Sequence, residues 1–277
     1  MKIMLDQSKK ISTVDGTLEI LKTLKSGPIS EISLCKFNGI KSIIRVDFKW
    51  AYKLKINRKT EFDILNKINF IGLSPEIIYQ DLSQGILIWT YIDAKDFRIV
   101  DETKLFLLRD LGVSLKKVHS VEVDKNLTNI FNDSIFFYEE ILINEPNQNL
   151  INKGFNLYKR LCDDDIESVL SHNDLNKSNI LFNQRFFFLD WEYASINHPY
   201  FDIATISVSF NLNLKDINTL WSGYDKNCSV LDIDKLHEWM TFSYFLDYMW
   251  RLSLVKVSDL SSGDLDIVTL ERKIANF

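Results

Sequence analysis

The hydrophobic pattern changes period near residue 93, and a chain patterned this way is restricted to folds that set a small sheet against a larger group of helices. Before that point the apolar residues fall in short or alternating runs. Residues 18–25, 32–37 and 42–48 read as strands, broken at Ser26-Gly27-Pro28 and at Asn38-Gly39. Asn38-Gly39 predicts a tight hairpin, because both residues tolerate positive φ. Residues 59–70 carry a helical stripe of Phe62, Leu65 and Ile68, interrupted at Asn69, and 77–79 and 85–92 read as two further strands. Beyond residue 93 the period is helical. Residues 101–120 place Leu108, Leu111, Leu115 and Val118 on one face; 134–143 and 155–161 follow, and 235–255 predicts one long aromatic-rich helix. Residues 180–182 and 185–189 predict a β-hairpin across Asn183-Gln184. The expected fold is α+β and bilobal, with lobes at 1–93 and 94–277 and a ligand cleft between them.

Hydrophobic residues make up 46% of the 277, enough for the core of two lobes. The 33 Lys and Arg against 38 Asp and Glu give a net charge of −5, which argues against a nucleic-acid partner and suits a neutral or cationic small substrate. Cys35, Cys162 and Cys228 are far apart, odd in number and in no metal-ligand spacing, so they read as reduced thiols. Residues 1–10 contain no signal-peptide core, and no run approaches the ~20 apolar residues that span a bilayer. The expectation is a cytoplasmic protein with no membrane partner.

Two segments carry the chemistry: S-H-N-D-L-N-K-S-N-I-L at 171–181 and F-L-D-W-E-Y at 188–193. Phosphoryl transfer needs a carboxylate near the attacking hydroxyl, oxygen ligands for magnesium and positive charge on the phosphates. Asp174 can orient and deprotonate the hydroxyl. Asn179 offers a neutral oxygen and Asp190 an anionic one, both suited to a hard cation that keeps some waters. The predicted hairpin between them takes the chain out and back, so that both can face one ion. Glu192 adds either a ligand or a partner for a metal-bound water. His172 is placed with the catalytic group as the residue that braces the loop by hydrogen bonding. His119 reads as structural, and His198 and His237 carry no functional signal.

Taken together, H-x-D, an Asn five residues on, a hairpin and D-W-E resemble the aminoglycoside phosphotransferases and the choline, ethanolamine and thiamine kinases, which share the protein-kinase-like fold. Protein kinases write the same roles as H-R-D and D-F-G. Here Asn173 replaces the Arg and Trp191-Glu192 replaces Phe-Gly, which favours the small-molecule branch. The resemblance implies ATP as donor with Mg2+. K-S-I-I-R-V at 41–46 is similar to the strand that supplies a basic residue to the phosphates, here Arg45. I-N-R-K-T-E at 56–61 is similar to the start of the partner helix, so Glu61 would pair with Arg45. Residues 26–30 stand where the family has a Gly-rich turn, with one Gly missing and Ser30 where Asn is common. I-L-I-W-T-Y-I at 86–92 is similar to the hinge beside adenine, with backbone contacts from Trp89 to Tyr91. H-P-Y-F-D-I-A at 198–204 resembles the family's D-x-A helix start, where Asp202 would accept N–H bonds from the catalytic loop.

Choline and thiamine carry charges that cannot be titrated away, and proteins hold such groups with aromatic faces and carboxylates. Tyr193 matches a choline-contacting aromatic of choline kinases. The helix at 235–255 offers Trp239, Asp247, Tyr248 and Trp250; Trp250 matches the first of two family Trp residues, while Ser253 stands at the second. The competing reading makes Trp239, Phe242, Leu246 and Trp250 a core face. I-N-R-K-T-E and Y-I-D-A-K look closest to bacterial choline kinases. The expected acceptors are choline, then thiamine, then ethanolamine, with an aminoglycoside behind them; a pseudokinase is the alternative of a different class.

Overall fold

Strand β2 (Ser30–Phe37) turns back into β3 (Ile40–Asp47) through Asn38 and Gly39, which hold φ of 49° and 81°. That double positive φ is the twist-matched two-residue turn expected of the dipeptide. The computed structural model describes residues 7–8, 10–96, 104–123, 130–163, 167–226 and 229–277. With β1 (Leu18–Ser26), β4 (Ile77–Asp81) and β5 (Ile86–Thr90), the hairpin forms an antiparallel sheet in the order β1-β2-β3-β5-β4. Cys35, Phe37, Ile44, Val46, Ile86 and Ile88 bury one face of it in a small core of its own. The other face turns toward the cleft and carries Ile43, Arg45 and Leu87.

Helix α1 (Arg58–Phe70) begins at Asn57, whose side chain accepts from the Thr60 N–H. Its buried face is Thr60, Glu61, Ile64, Leu65 and Ile68. The stripe is thus turned from the expected one: Phe62 is only half-buried, and the carboxylate Glu61 takes the inward position. Asn69 sits at the stripe's edge, where its Nδ2 donates to Ser74 O at 3.4 Å.

Past β5 the chain enters the helical part. Strand β6 (Lys95–Asp96) pairs with β8 (Ile180–Asn183), which forms a hairpin with β9 (Arg185–Phe188) through Gln184 at φ 57°. A two-stranded ladder joins β7 (Val169–Ser171) to β10 (Ser195–Asn197). Around them stand α2 (Lys104–His119), α3 (Ile130–Ile141), α4 (Gln148–Cys162), α5 (Tyr200–Phe210), α6 (Leu214–Tyr224), α7 (Ile233–Val257) and α8 (Ile267–Ile274). Helix α4 starts earlier than expected, because Ile151 and Gly154 continue its inward face through a polar stretch. The expected start of α2 at Asp101, together with Cys228 and residues 1–6, lies outside the described residues. Cys35 is buried and Cys162 exposed, both as free thiols. No helix among the described residues is long and apolar enough to cross a membrane.

One helix crossing sets up the site. A Cβ on Gly112 of α2 would lie 2.1 Å from Leu220 O, and one on Gly223 of α6 would lie 1.9 Å from Arg109 O. Only glycine allows the two backbones this close. The approach brings Tyr224, at the end of α6, to His119, at the end of α2, with Tyr224 Oη 2.9 Å from His119 Nδ1.

Candidate active site

From that tyrosine a buried chain of hydrogen bonds runs to the loop that follows β7. His119 Nε2 lies 3.0 Å from Asp202 Oδ2, and Asp202 accepts the backbone N–H groups of His172 and Asn173 at 2.8 Å each. Tyr224 Oη donates to Nδ1 and Nε2–H donates to the carboxylate in this arrangement. Asn173 holds φ 64°, a conformation Asn accepts more readily than most residues. Its amide donates to Tyr193 O and Ser195 Oγ at 2.8 Å each and accepts from Asn197 Nδ2 at 2.9 Å. The residue that replaces the protein-kinase Arg therefore bonds this loop to the D-W-E-Y segment. His172 lines neither cavity of the cleft. Its Nε2–H donates to Leu189 O at 2.8 Å and its Nδ1 accepts from Asp174 N–H at 3.3 Å, while burial pushes its pKa down.

Asp174 receives these constraints. Its carboxylate accepts from Asn176 Nδ2 at 3.0 Å and Asn179 Nδ2 at 2.9 Å, and Asn179 Nδ2 also donates to Asp174 O at 2.9 Å. Burial, and then the nearby Asp190 carboxylate, push Asp174 up to about 7, near the operating range of a general base. Asp190 holds φ 66° after the β8–β9 hairpin, and the hairpin is closed by Leu189 N–H donating to Asn179 O at 2.9 Å. Asn179 and Asp190 line the same cavity. Among the described residues no three His, Cys, Asp or Glu side chains are grouped to hold a metal. A Mg2+ bound here would take Asn179 Oδ1 and Asp190 and complete its shell from phosphates and water, as that ion commonly does.

Arg45 and Glu61 pair at both ends, Nη1 to Oε1 at 2.7 Å and Nη2 to Oε2 at 2.6 Å. Arg45 Nη1 also lies 3.2 Å from Asp190 Oδ1. Sequence reasoning missed the second arginine. Arg58 donates to both oxygens of Asp47 at 2.7 and 2.8 Å, and its Nη1 donates to Glu61 Oε2 and Glu192 Oε2 at 2.8 Å each. Its signal lay in I-N-R-K-T-E, where Arg58 and Glu61 are three apart on one helix face. Glu192 is thus held by Arg58. Burial and Asp190 raise its carboxyl pKa, while Arg58 and Arg45 oppose the rise.

A cavity of about 270 Å³ under the sheet is lined by Ile43, Leu87, Trp89 and Tyr91 above and by Leu181 and Phe188 below. Two amides of the expected hinge, Trp89 to Tyr91, are bonded within the protein. Thr90 N–H donates to Glu76 O at 2.9 Å and Tyr91 N–H to Lys41 O at 3.1 Å. Among the described residues the next amide, Ile92 N–H, has no such partner, and Ile92 lines the cavity. The Tyr91 ring has Lys41 Nζ at 3.6 Å over its face.

A second cavity of about 520 Å³ opens from Asp174 toward α7 and is lined by Ser30, Tyr138, Glu192, Tyr193, Asp247 and Trp250, among others. Trp250 Nε1 donates to Tyr193 Oη at 2.7 Å, so the two rings stand as one wall. Tyr138 of α3, which sequence reasoning missed, adds a third ring; it carries no motif, and only the packing of α3 brings it in. Trp239 and Tyr248 do not line the cavity. Trp239 is 1% exposed and stacks on His198 at 5.1 Å, and Tyr248 turns away to donate to Glu271 Oε1 at 2.7 Å. For Trp239 and Phe242 the core-face reading of α7 holds, whereas Leu246 and Trp250 of that face line the cavity; Tyr248, which that reading left out, is buried on another side. Asp247 lines the cavity but is held at both oxygens by Arg251, at 2.9 Å each. Ser253, at the second Trp position, is buried and donates to Met249 O at 2.8 Å.

An antiparallel five-stranded sheet over a helical lobe, with a loop carboxylate, an amide and a second carboxylate gathered at their boundary, defines the protein-kinase-like fold in its small-molecule form. Residues 29–219 match the choline/ethanolamine kinase family model. The protein LicA homolog of Mycoplasma capricolum subsp. capricolum is 22% identical over 225 residues, which cover 80% of this chain and 85% of that protein. The choline kinase LicA from Streptococcus pneumoniae superposes with TM-score 0.75 at 20% identity, covering 99% of both chains. A LicA structure in complex with AMP gives TM-score 0.76 at 19% identity, covering 99% of this chain and 98% of that one. The chain belongs to the choline/ethanolamine kinase family and is a small-molecule phosphotransferase.

Proposed function

We propose that this chain transfers the γ-phosphoryl group of ATP, with Mg2+, to the hydroxyl of a small cationic alcohol, with choline as the first candidate, thiamine the second and ethanolamine the third. The observation that carries this reading is the position of Asp174. It lines a cavity walled by Tyr138, Tyr193 and Trp250, next to the nucleotide-sized cavity under the sheet. The AMP held by a LicA of the same fold supports a nucleotide in the cavity under the sheet.

In this reading Asp174 takes the hydroxyl proton as the acceptor oxygen bonds to the γ-phosphorus. The bond from that phosphorus to the β,γ-bridging oxygen breaks, and ADP leaves with the electron pair. Asn176 and Asn179 orient the Asp174 carboxylate through their amides. Asn179 and Asp190 would hold Mg2+, which when bound offsets the negative charge of the phosphates. Glu61 orients the Arg45 guanidinium for phosphate contact. Among the described residues Ile92 N–H is the hinge amide left for a base.

The paired state of the acidic residues favours a singly charged acceptor. Asp247 is neutralised by Arg251 and Glu192 is bonded to Arg58, so among the described residues Asp174 and Asp190, which serve the phosphoryl transfer, are the lining carboxylates left for a polycationic aminoglycoside. The aromatic faces remain, and they suit one quaternary ammonium or thiazolium group. ADP release measured with Mg-ATP and each alcohol in turn tests the proposal. Choline-dependent release is expected; no release above background with any alcohol would leave the pseudokinase reading in its place, and release that needs no alcohol would make the chain an ATP hydrolase.

A further inference from the structure

The two cavities adjoin. Lys25, Ile32, Ser178 and Asp190 are the residues that line both. If the chain is a kinase as proposed above, the transferring phosphoryl group crosses this junction. Its charge then moves past two carboxylates, Asp174 and Asp190.

Little positive charge is free to meet it. Arg45, at the nucleotide end, is paired at both ends with Glu61 and lies against Asp190; Arg251, at the acceptor end, is held by Asp247. Lys25 has no carboxylate, carbonyl or ring partner among the described residues. The turn after β1 offers few backbone donors. Gly27 N–H donates to Ser30 O at 2.9 Å, and Pro28 has no N–H. A Gly-rich turn cradles phosphates with successive amides, and here two of them are out of use.

Strand pairing aims Lys25 at the junction. In the β1–β2 ladder Thr23 opposes Ser33 and Lys25 opposes Ile32, with a register shift between Thr23 and Lys25. Leu24 is the extra residue of this bulge. In a regular strand Lys25 would share the face of Thr23. The bulge transfers it to the face of Ile32, which lines both cavities. Re-aiming one side chain beside an active site is a known use of a bulge.

We infer that Lys25 supplies the cation that stabilises the phosphoryl group in transit, in place of the amides of a Gly-rich turn. This rests on the kinase reading. Its side chain is exposed at the cleft rim on a flexible stem, so no ion pair among the described residues has to break before it meets a phosphate.

The test compares the parent with Lys25→Met and Lys25→Arg. Steady-state kinetics give kcat and each KM, and calorimetry gives the affinities for Mg-ADP and the non-hydrolysable Mg-AMPPNP. Lys25→Met is expected to lower kcat by about tenfold or more, less than the roughly 10²–10³ of a buried oxyanion donor because the ammonium is exposed. The alcohol KM and the Mg-ADP affinity should stay unchanged, and Lys25→Arg should recover most of the rate. An unchanged kcat in Lys25→Met, or a Lys25→Arg no faster than Lys25→Met, overturns the assignment while leaving the kinase reading intact. If the parent turns over no alcohol, the kinase reading fails and the transit role of Lys25 falls with it. A γ-phosphate contact then survives if Lys25→Met weakens Mg-AMPPNP more than Mg-ADP, and is overturned too if both are unaffected or equally affected.

Discussion

The side-chain amide of Asn179 donates to both the backbone carbonyl and the carboxylate of Asp174, at 2.9 Å each, so one residue joins the proposed base to the proposed metal site. With its nitrogen committed, Asn179 presents only Oδ1 to an incoming ion. Asn179→Asp would replace the donor by a carboxylate oxygen facing Asp174, and two carboxylates this close do not both ionise. A fall in kcat of about 100-fold is expected in an ADP-release assay. A variant as fast as the parent would remove Asn179 from the machinery.

Arg58 is buried among Asp47, Glu61 and Glu192, which come from β3, α1 and the segment after β9. Arg58→Met strands these carboxylates, and a loss of about 3–5 kcal/mol in urea unfolding is expected. The control is Lys59→Met. Lys59 forms an exposed pair with Asp63, so a change below about 1 kcal/mol is expected there.

Burial alone would raise the Glu61 carboxyl, but the guanidinium groups of Arg45 and Arg58 outweigh it and hold its pKa at about 2, below the ordinary 4.5. A carboxyl lowered by folding stabilises the fold above its unfolded pKa, and that stabilisation is lost as pH falls through the folded value. The difference in unfolding free energy between the parent and Glu61→Gln should therefore be full at neutral pH. It should shrink between about pH 4.5 and about pH 2. A difference independent of pH over that window would contradict the ion-pair account.

Tyr193 and Trp250 form one wall of the proposed acceptor cavity, and Trp239 stands outside it. Tyr193→Ala and Trp250→Ala should each raise the KM for a cationic alcohol by the equivalent of roughly 0.5–2 kcal/mol, the worth of a cation–π contact. Trp239→Phe should leave KM unchanged. A KM that responds to Trp239 and not to the other two would relocate the acceptor.

Much of this was legible in the sequence because the site is built from contiguous segments. Asp174, Asn179 and Asp190 sit on one loop and one hairpin, so their spacing alone implies that they converge. The Asn38-Gly39 turn and the strand–helix division were readable for the same local reason. What could not be read depends on contacts between distant segments. Arg58 acquires its importance only when Asp47 and Glu192 fold around it. Tyr138 reaches the cavity through helix packing, and Ile92 stands out only because Glu76 and Lys41 occupy the two amides before it. Trp239 and Tyr248 were placed with the acceptor because an aromatic helix looks alike on every side in one dimension. Their burial against His198 and Glu271 separates core from cavity.

In the proposed reaction Asp174 drives phosphoryl transfer from Mg-ATP to a small cationic alcohol. The most direct measurement is ADP release by the parent and by Asp174→Asn, with Mg-ATP and choline, ethanolamine, thiamine or kanamycin. The parent should release ADP fastest with choline, and Asp174→Asn should show none above background while still binding Mg-ATP by calorimetry. Release independent of all four alcohols, or an Asp174→Asn variant as active as the parent, would contradict it.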